Sequence, residues 1–377
     1  MNKSEIAHLI IFRKELHSYP ELSGEEEATS ERLKRFFKNL NPDEMIEDLG
    51  GHGFAVVYKG SNPGPVTLLR AELDALPILE HGAIKHISQV PGVSHLCGHD
   101  GHMAILCGVG LNLSKEKPVN GSVVLLFQPA EETGEGASEV LKSENFKKIV
   151  PDFAFALHNL PGYDKNQIVL RKGAFTAASK GMILTFTGNT SHAAHPEDGN
   201  SPAEAMCKAI IGLERLSESI SEFSMITVVH AVLGEVAFGT APGEAKVMAT
   251  IRTYDDDVLE RLGKLATRLA DLIAKEYRLE VSVSFRDHFQ AVVNEEKAWE
   301  YVNESAKDLK LKTKHIRTPF RWSEDFGHFS SVTNTLLFGL GAGKSHPQLH
   351  EGTYDFPDDV ISTGVNLFTE VVRKINF

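Results

Sequence analysis

Between Ser94 and His102 the chain reads SHLCGHDGH, which places one thiol, three imidazoles and one carboxylate within nine residues. A thiolate and neutral imidazoles form a borderline-soft donor set that suits Zn or a neighbouring first-row ion. Alone, such a turn is equally a hydrogen-bonded helix cap. Glu131-Glu132, His158 and His350 change the balance, because most of them stand at the end of an apolar run. Cys97, His99, Glu132, His158 and His350 make five donors, more than a four-coordinate zinc site takes. Five donors plus a bridging group describe two divalent ions about 3.5–4 Å apart. Cys97 is the bridging candidate, since sulfur has several lone pairs and Gly98 permits a tight approach.

Adjacent side chains on extended backbone diverge, so Glu131 and Glu132 cannot both face the metals. One ligates and the other is left as a general base for water. Residue order does not say which; the reading taken is Glu132 on the metal and Glu131 as the base. Asp74 and Asp100 are read as carboxylates that orient imidazoles, and His102 as a supporting histidine beside the ligands. Cys107 and Cys207 fall in apolar helical stretches and are expected in the core. His17, His52, His315 and His328 are expected to be surface or packing residues.

The surrounding chain must hold these groups rigidly. Its 377 residues exceed one usual domain, and 42% hydrophobic with 24% charged residues is an ordinary globular composition. A formal net charge of -12 argues against nucleic-acid or anionic-membrane partners, which want a basic face. With three cysteines, no signal-like N-terminus and no 18-residue apolar run, a cytoplasmic protein without a disulfide framework is expected.

Ser4 is read as the cap of a first helix ending before Pro20, and Ser23 with Glu26 as a capping box for a second. Strands are expected at 54–58, 66–74, 123–127 and 153–157, each delivering polar residues to its far end, with an apolar helix at 103–114. This alternation describes an open, mostly parallel α/β sheet with its site at the C-terminal strand edge. Near residue 180 the pattern changes. GMILTFTG alternates, Ser201-Pro202 with Glu204 starts a helix, two strands follow, then a long amphipathic helix at 255–277 and a strand at 279–285. That βαββαβ order is a ferredoxin-like α+β unit. The expected division is a discontinuous catalytic domain of 1–179 and 289–377 interrupted by an inserted domain of 180–288.

The segments RAELDALPI, LCGHDGH, QPAEE, ALHNLP, TSHAAHPEDGNSPA, RWSEDF and LHEGTYDFPDD resemble the M20 metallopeptidases, and more closely their amidohydrolase branch. That branch includes hippurate hydrolases, N-acyl-amino-acid amidohydrolases, auxin-conjugate hydrolases and N-acetyldiaminopimelate deacetylases. The resemblance implies two divalent ions per subunit, commonly Zn, Mn, Co or Ni, on Cys97, His99, Glu132, His158 and His350, with Glu131 as general base. Cys97 stands where most of the wider family has a bridging aspartate. The inserted domain is implied to be a lid and dimerisation domain. His192 matches a histidine that helps polarise the scissile carbonyl, and Arg252 an arginine that binds the substrate carboxylate. The asparagine usual before the arginine strand is absent from FGTAPGEAKV, so Thr240 or the Gly243 backbone would replace it. Glu72 replaces an aspartate and Ser94 a methionine.

The expected function is therefore hydrolysis of the amide bond of an N-acyl amino acid or similar small conjugate, through metal-bound hydroxide with Glu131 as base. A homodimer or higher homo-oligomer is expected. The alternatives are a dipeptidase or aminoacyl carboxypeptidase with the same centre, and an inactive metal- or small-molecule-binding protein.

Overall fold

The computed structural model describes residues 1–377, which divide into two units. The first takes Met1–Phe175, Val292–Pro319 and Asp325–Phe377; the second takes Thr176–Ala291 and Phe320–Glu324.

The first unit is built on an eight-stranded sheet whose order is Glu44–Ile46, Phe54–Lys59, Asn120–Gln128, Asn62–Glu72, Phe153–Pro161, Asn334–Gly343, Ile168–Leu170 and Thr313–His315. The four central strands run parallel, as do the last two, and three antiparallel pairings complete the sheet, which is therefore mixed. Val123–Phe127 is buried throughout, as expected of a central strand covered on both faces. Helices α1 (Lys3–Ser18), α2 (Glu27–Phe37), α3 (His99–Lys115), α4 (Gly136–Lys142) and, in the second unit, α5 (Ala203–Leu216) and α6 (Asp256–Tyr277) precede α7 (Glu296–Asp308) and α8 (Ile361–Asn376). Within the first unit α1 packs on α3, α3 on α8, and α7 on α8. The central strands end at Glu72, Gln128, Pro161 and Gly343, and the metal-donor candidates lie at or just beyond that edge.

Several local expectations change. Asn2, not Ser4, caps α1 and forms a capping box with Glu5. Ser23 and Glu26 form no box: α2 begins at Glu27 without a side-chain cap. Helix α3 starts inside the histidine motif, at His99.

The second unit has a four-stranded antiparallel sheet in the order Ser224–Leu233, Glu244–Thr253, Ala178–Thr187, Glu280–Phe289. With α5 and α6 the chain order is βαββαβ. Pro202 precedes α5 without a side-chain cap, and the buried stripe is Ala205, Ala209 and Leu213. That phase leaves Cys207 exposed rather than in the core, whereas Cys107 is buried within α3. Asp255 caps α6 through the Val258 N–H. No helix in either unit is long and apolar enough to cross a membrane.

Candidate metal centre

All five expected donors come together in the first unit. Cys97, His99 and His158 bring one ligand atom each within 4.8 Å of one another, and so do Cys97, Glu132 and His350. Cys97 belongs to both groups, which is the geometry a shared thiolate needs. Gly98, between Cys97 and His99, has φ 90°, and a Cβ there would lie 2.4 Å from Asn159 Oδ1. Only glycine permits that approach. His350 is also left-handed, φ 66°, and its N–H donates to the Leu96 carbonyl at 2.9 Å, binding the late loop to the histidine motif.

His99 Nδ1 lies 2.9 Å from the Asp74 carbonyl oxygen, which directs Nε2 inward. Nε2 is buried, has no hydrogen-bond partner, and lies 3.9 Å from both Glu131 Oε2 and Glu132 Oε1. Burial works against a charge on His99, yet the Asp74 hydrogen bond and the Glu72 and Glu132 charges outweigh it and raise its pKa to about 10. The field that draws a proton to Nε2 would draw a divalent cation equally, so the donor set fits the metal and protons compete with it. His158 differs: burial, helped by the His102 charge, lowers its pKa to about 3. Its Nδ1 lies 2.9 Å from the Asn159 carbonyl, and its Nε2 lies 3.4 Å from Cys97 Sγ. His350 Nε2 lies 3.9 Å from Glu132 Oε2.

The supporting residues sort themselves by contact. Asp74 Oδ2 accepts the Glu132 N–H at 2.9 Å and the Ser23 hydroxyl at 2.7 Å. His102 is held on both ring nitrogens, by Glu72 at 2.6 Å and Asn159 Oδ1 at 2.5 Å. The longer Glu72 side chain therefore reaches His102 and also pairs with Arg70. Arg70 also reaches Asp325 Oδ1 at 2.5 Å, and the Asp325 N–H donates to Glu131 Oε1 at 3.4 Å.

Asp100 holds an imidazole, but that of His17. It turns away from the ligand histidines to Arg13 at 3.1 Å and His17 at 2.9 Å. His17 is fully buried, not a surface or packing histidine, and its Nε2 meets Glu80 at 3.0 Å. Burial would discharge His17, but Asp100 and the two carboxylate hydrogen bonds prevail and raise its pKa to about 9. The signal was present in the sequence. Arg13 and His17 fall on the same buried stripe as Leu9, Phe12 and Leu16, where a charged residue needs a partner.

A stability prediction follows from the sign of that shift. The folded pKa lies above the unfolded one, so the contribution is complete below about pH 6.5 and lost as pH rises towards 9. In the metal-free protein His17 should account for on the order of 3 kcal/mol of the stability lost across that window, beside the loss that His99 adds, measured by urea denaturation. His17→Gln should make the dependence shallower by about that share, the His99 part remaining; an unchanged slope in the variant would refute the assignment.

The remaining expected residues lie in the second unit. His192 is exposed and sits opposite Thr240 in a two-residue ribbon. Its Nδ1 accepts the Ala194 N–H at 3.0 Å, which leaves Nε2 to carry the hydrogen of a neutral ring. Gly243 gives its carbonyl to the Gly188 N–H. Arg252 donates to the Arg321 carbonyl at 3.1 Å and to Ser323 Oγ at 2.9 Å. No acidic side chain pairs with it, and burial lowers its pKa.

Comparison with known proteins gives this geometry a family. The sequence profile of the peptidase family M20/M25/M40 matches residues 68–374. The chain belongs to that family. The N-acetyldiaminopimelate deacetylase of Priestia megaterium is 30% identical over 363 residues, which are 93% of this chain and 95% of that protein. An uncharacterized hydrolase of Staphylococcus saprophyticus is 26% identical and matches over 98% of each chain. Among solved structures, a dinuclear metal-binding peptidase from the M20 family of Bacillus subtilis superposes with a TM-score of 0.84 at 24% identity, covering 100% of this chain and 99% of its own. A tripeptidase of Staphylococcus aureus gives 0.77 at 17% identity, with 98% of each chain covered. This M20 chain is thus a hydrolase of α/β fold with a separate second unit and donor clusters suited to a dinuclear centre.

Proposed function

We propose that this chain is a binuclear metal-dependent amidohydrolase of the amidohydrolase branch, cleaving the amide bond of N-acyl amino acids or similar small conjugates. The observation that carries the reading is the convergence of five donors around Cys97 with a second carboxylate, Glu131, beside them. When bound, the ions, Zn, Mn, Co or Ni, would polarise the acyl carbonyl and acidify water. Cys97, His99, Glu132, His158 and His350 would hold them. Glu131 takes a proton from the attacking water and delivers it to the departing nitrogen, while the Asp325 N–H fixes its carboxylate. His192 offers Nε2–H to the developing oxyanion. Thr240, facing it across the ribbon, replaces the usual asparagine. Arg252 lacks an acidic partner and so is suited to a substrate carboxylate.

The second unit is assigned as a lid and dimerisation domain, giving a homodimer or higher homo-oligomer. Support comes from Val236 and Phe238, which project fully from its surface. The reading places the chain in the cytoplasm, where Cys97 stays reduced.

The test couples metal analysis to a panel of N-acetyl and N-benzoyl amino acids and dipeptides, before and after chelation. Two ions per chain and chelator-sensitive hydrolysis of acylated amino acids are expected. Turnover confined to free-amine dipeptides would favour the dipeptidase. No chelator-sensitive hydrolysis anywhere on the panel would favour a binding protein.

A further inference from the structure

We propose that Glu26 is a positioning residue for the reaction, holding the Ala130 turn from which Glu131 is aimed. This rests on the reading of Glu131 as the base. Ala130 has φ 51°, left-handed backbone that a residue with a Cβ adopts only at a cost. The turn closes on itself through Gly136 N–H to the Ala130 carbonyl at 3.0 Å and Gly134 N–H to the Glu131 carbonyl at 2.8 Å. The Ala130 N–H points instead to a residue 104 positions away, donating to Glu26 Oε1 at 2.8 Å. The same oxygen accepts the Gly24 N–H at 2.9 Å, and Glu26 is fully buried.

Ser23 completes the device. Its hydroxyl bonds Asp74 Oδ2, which accepts the Glu132 N–H. Thus the glutamate that reads as half of a capping box is diverted from α2 to the backbone N–H before Glu131, and the serine to the Asp74 carboxylate that holds the N–H after it. A box would have stabilised the helix; α2 starts without it. If the Ala130 N–H lost its acceptor, relaxation of φ to negative values would rotate the Cα–Cβ bond of the next residue. An error of about 1 Å at a reacting group can cost roughly 100-fold in rate.

The experiment compares Glu26→Leu, Glu26→Gln, Ala130→Gly and the Glu26→Leu/Ala130→Gly double variant. Each is assayed with the N-acetyl or N-benzoyl amino acid that the wild type hydrolyses fastest, with bound metal and melting temperature measured on the same samples. Glu26→Leu should lower kcat by about 10- to 100-fold, with KM within about threefold and metal content unchanged. Glu26→Gln keeps an acceptor oxygen and should stay within about threefold of wild type. Ala130→Gly, which removes the left-handed penalty, should recover several-fold of the lost kcat in the Glu26→Leu background. Wild-type kcat in Glu26→Leu, or a Glu26→Gln loss as large as that of leucine, overturns the proposal. So does a loss that tracks metal content or melting temperature. If the leucine variant does not fold, Glu26→Asp decides: it retracts the acceptor by one methylene, and an undiminished kcat counts against the proposal while a kcat-only loss supports it. Glu131→Gln in parallel separates the two ideas. Turnover in that variant removes the base reading itself, whereas an inactive Glu131→Gln beside a fully active Glu26→Leu removes only this inference.

Discussion

Glu131→Gln is expected to lower kcat by about 10²- to 10⁴-fold, the range for loss of a positioned general acid–base group. The amide matches the carboxylate in size, and its oxygen can still accept the Asp325 N–H that reaches Glu131 Oε1 at 3.4 Å. Proton transfer is lost and the local framework is kept. Glu131 stands 3.9 Å from His99 Nε2 and shares a donor group with His99 and Glu132, but it is outside the two Cys97 groups; with Glu132 as the ligand, two ions per chain should remain by elemental analysis. Retained turnover with both ions in place would end the assignment of Glu131 as base. Loss of metal together with activity would instead exchange the roles of Glu131 and Glu132.

Cys97→Ser should be as damaging for a different reason. Cys97 is common to the His99–His158 and Glu132–His350 donor groups, so replacing its thiolate weakens both positions together. Bound metal should fall below two ions per chain, and activity by more than about 10²-fold, beyond the loss typical of a residue that merely supports a ligand. Softness is the deciding property. Cys97→Asp, which supplies the bridging carboxylate common in the wider family, should recover two-ion binding with preference moved from Zn towards Mn. Two tightly held ions and full activity in the serine variant would show that the thiolate is not shared. Both substitutions should be compared at equal folded fraction, because Cys97 is nearly buried in the main core.

Much of the chain's organisation is local and so is legible in sequence. The Val123–Phe127 run is apolar because both faces of its strand are covered, and it ends where the paired glutamates begin. The change from strand–helix alternation to βαββαβ is likewise a matter of periodicity, visible without tertiary contacts. Helix phase is less secure: α5 buries Ala205, Ala209 and Leu213, a narrow stripe of two alanines and a leucine that other apolar neighbours obscure, and Cys207 ends outside it.

By itself the sequence determined which residue types stand at the start of α3, at strand ends and in the late loop: a thiol, imidazoles and carboxylates in number and kind suited to two metal ions. It also determined that hydrophobic periodicity would build a sheet to carry them. Only the tertiary structure decided their partners. Asp100, next to His99, turns to Arg13 and His17; Ser23 and Glu26 leave their own helix for Asp74 and Ala130. Local preference for a cap is worth about a kilocalorie per mole, and a buried N–H or charge left without a partner costs as much or more. Such debts are settled between segments up to about a hundred residues apart, where no local pattern records them.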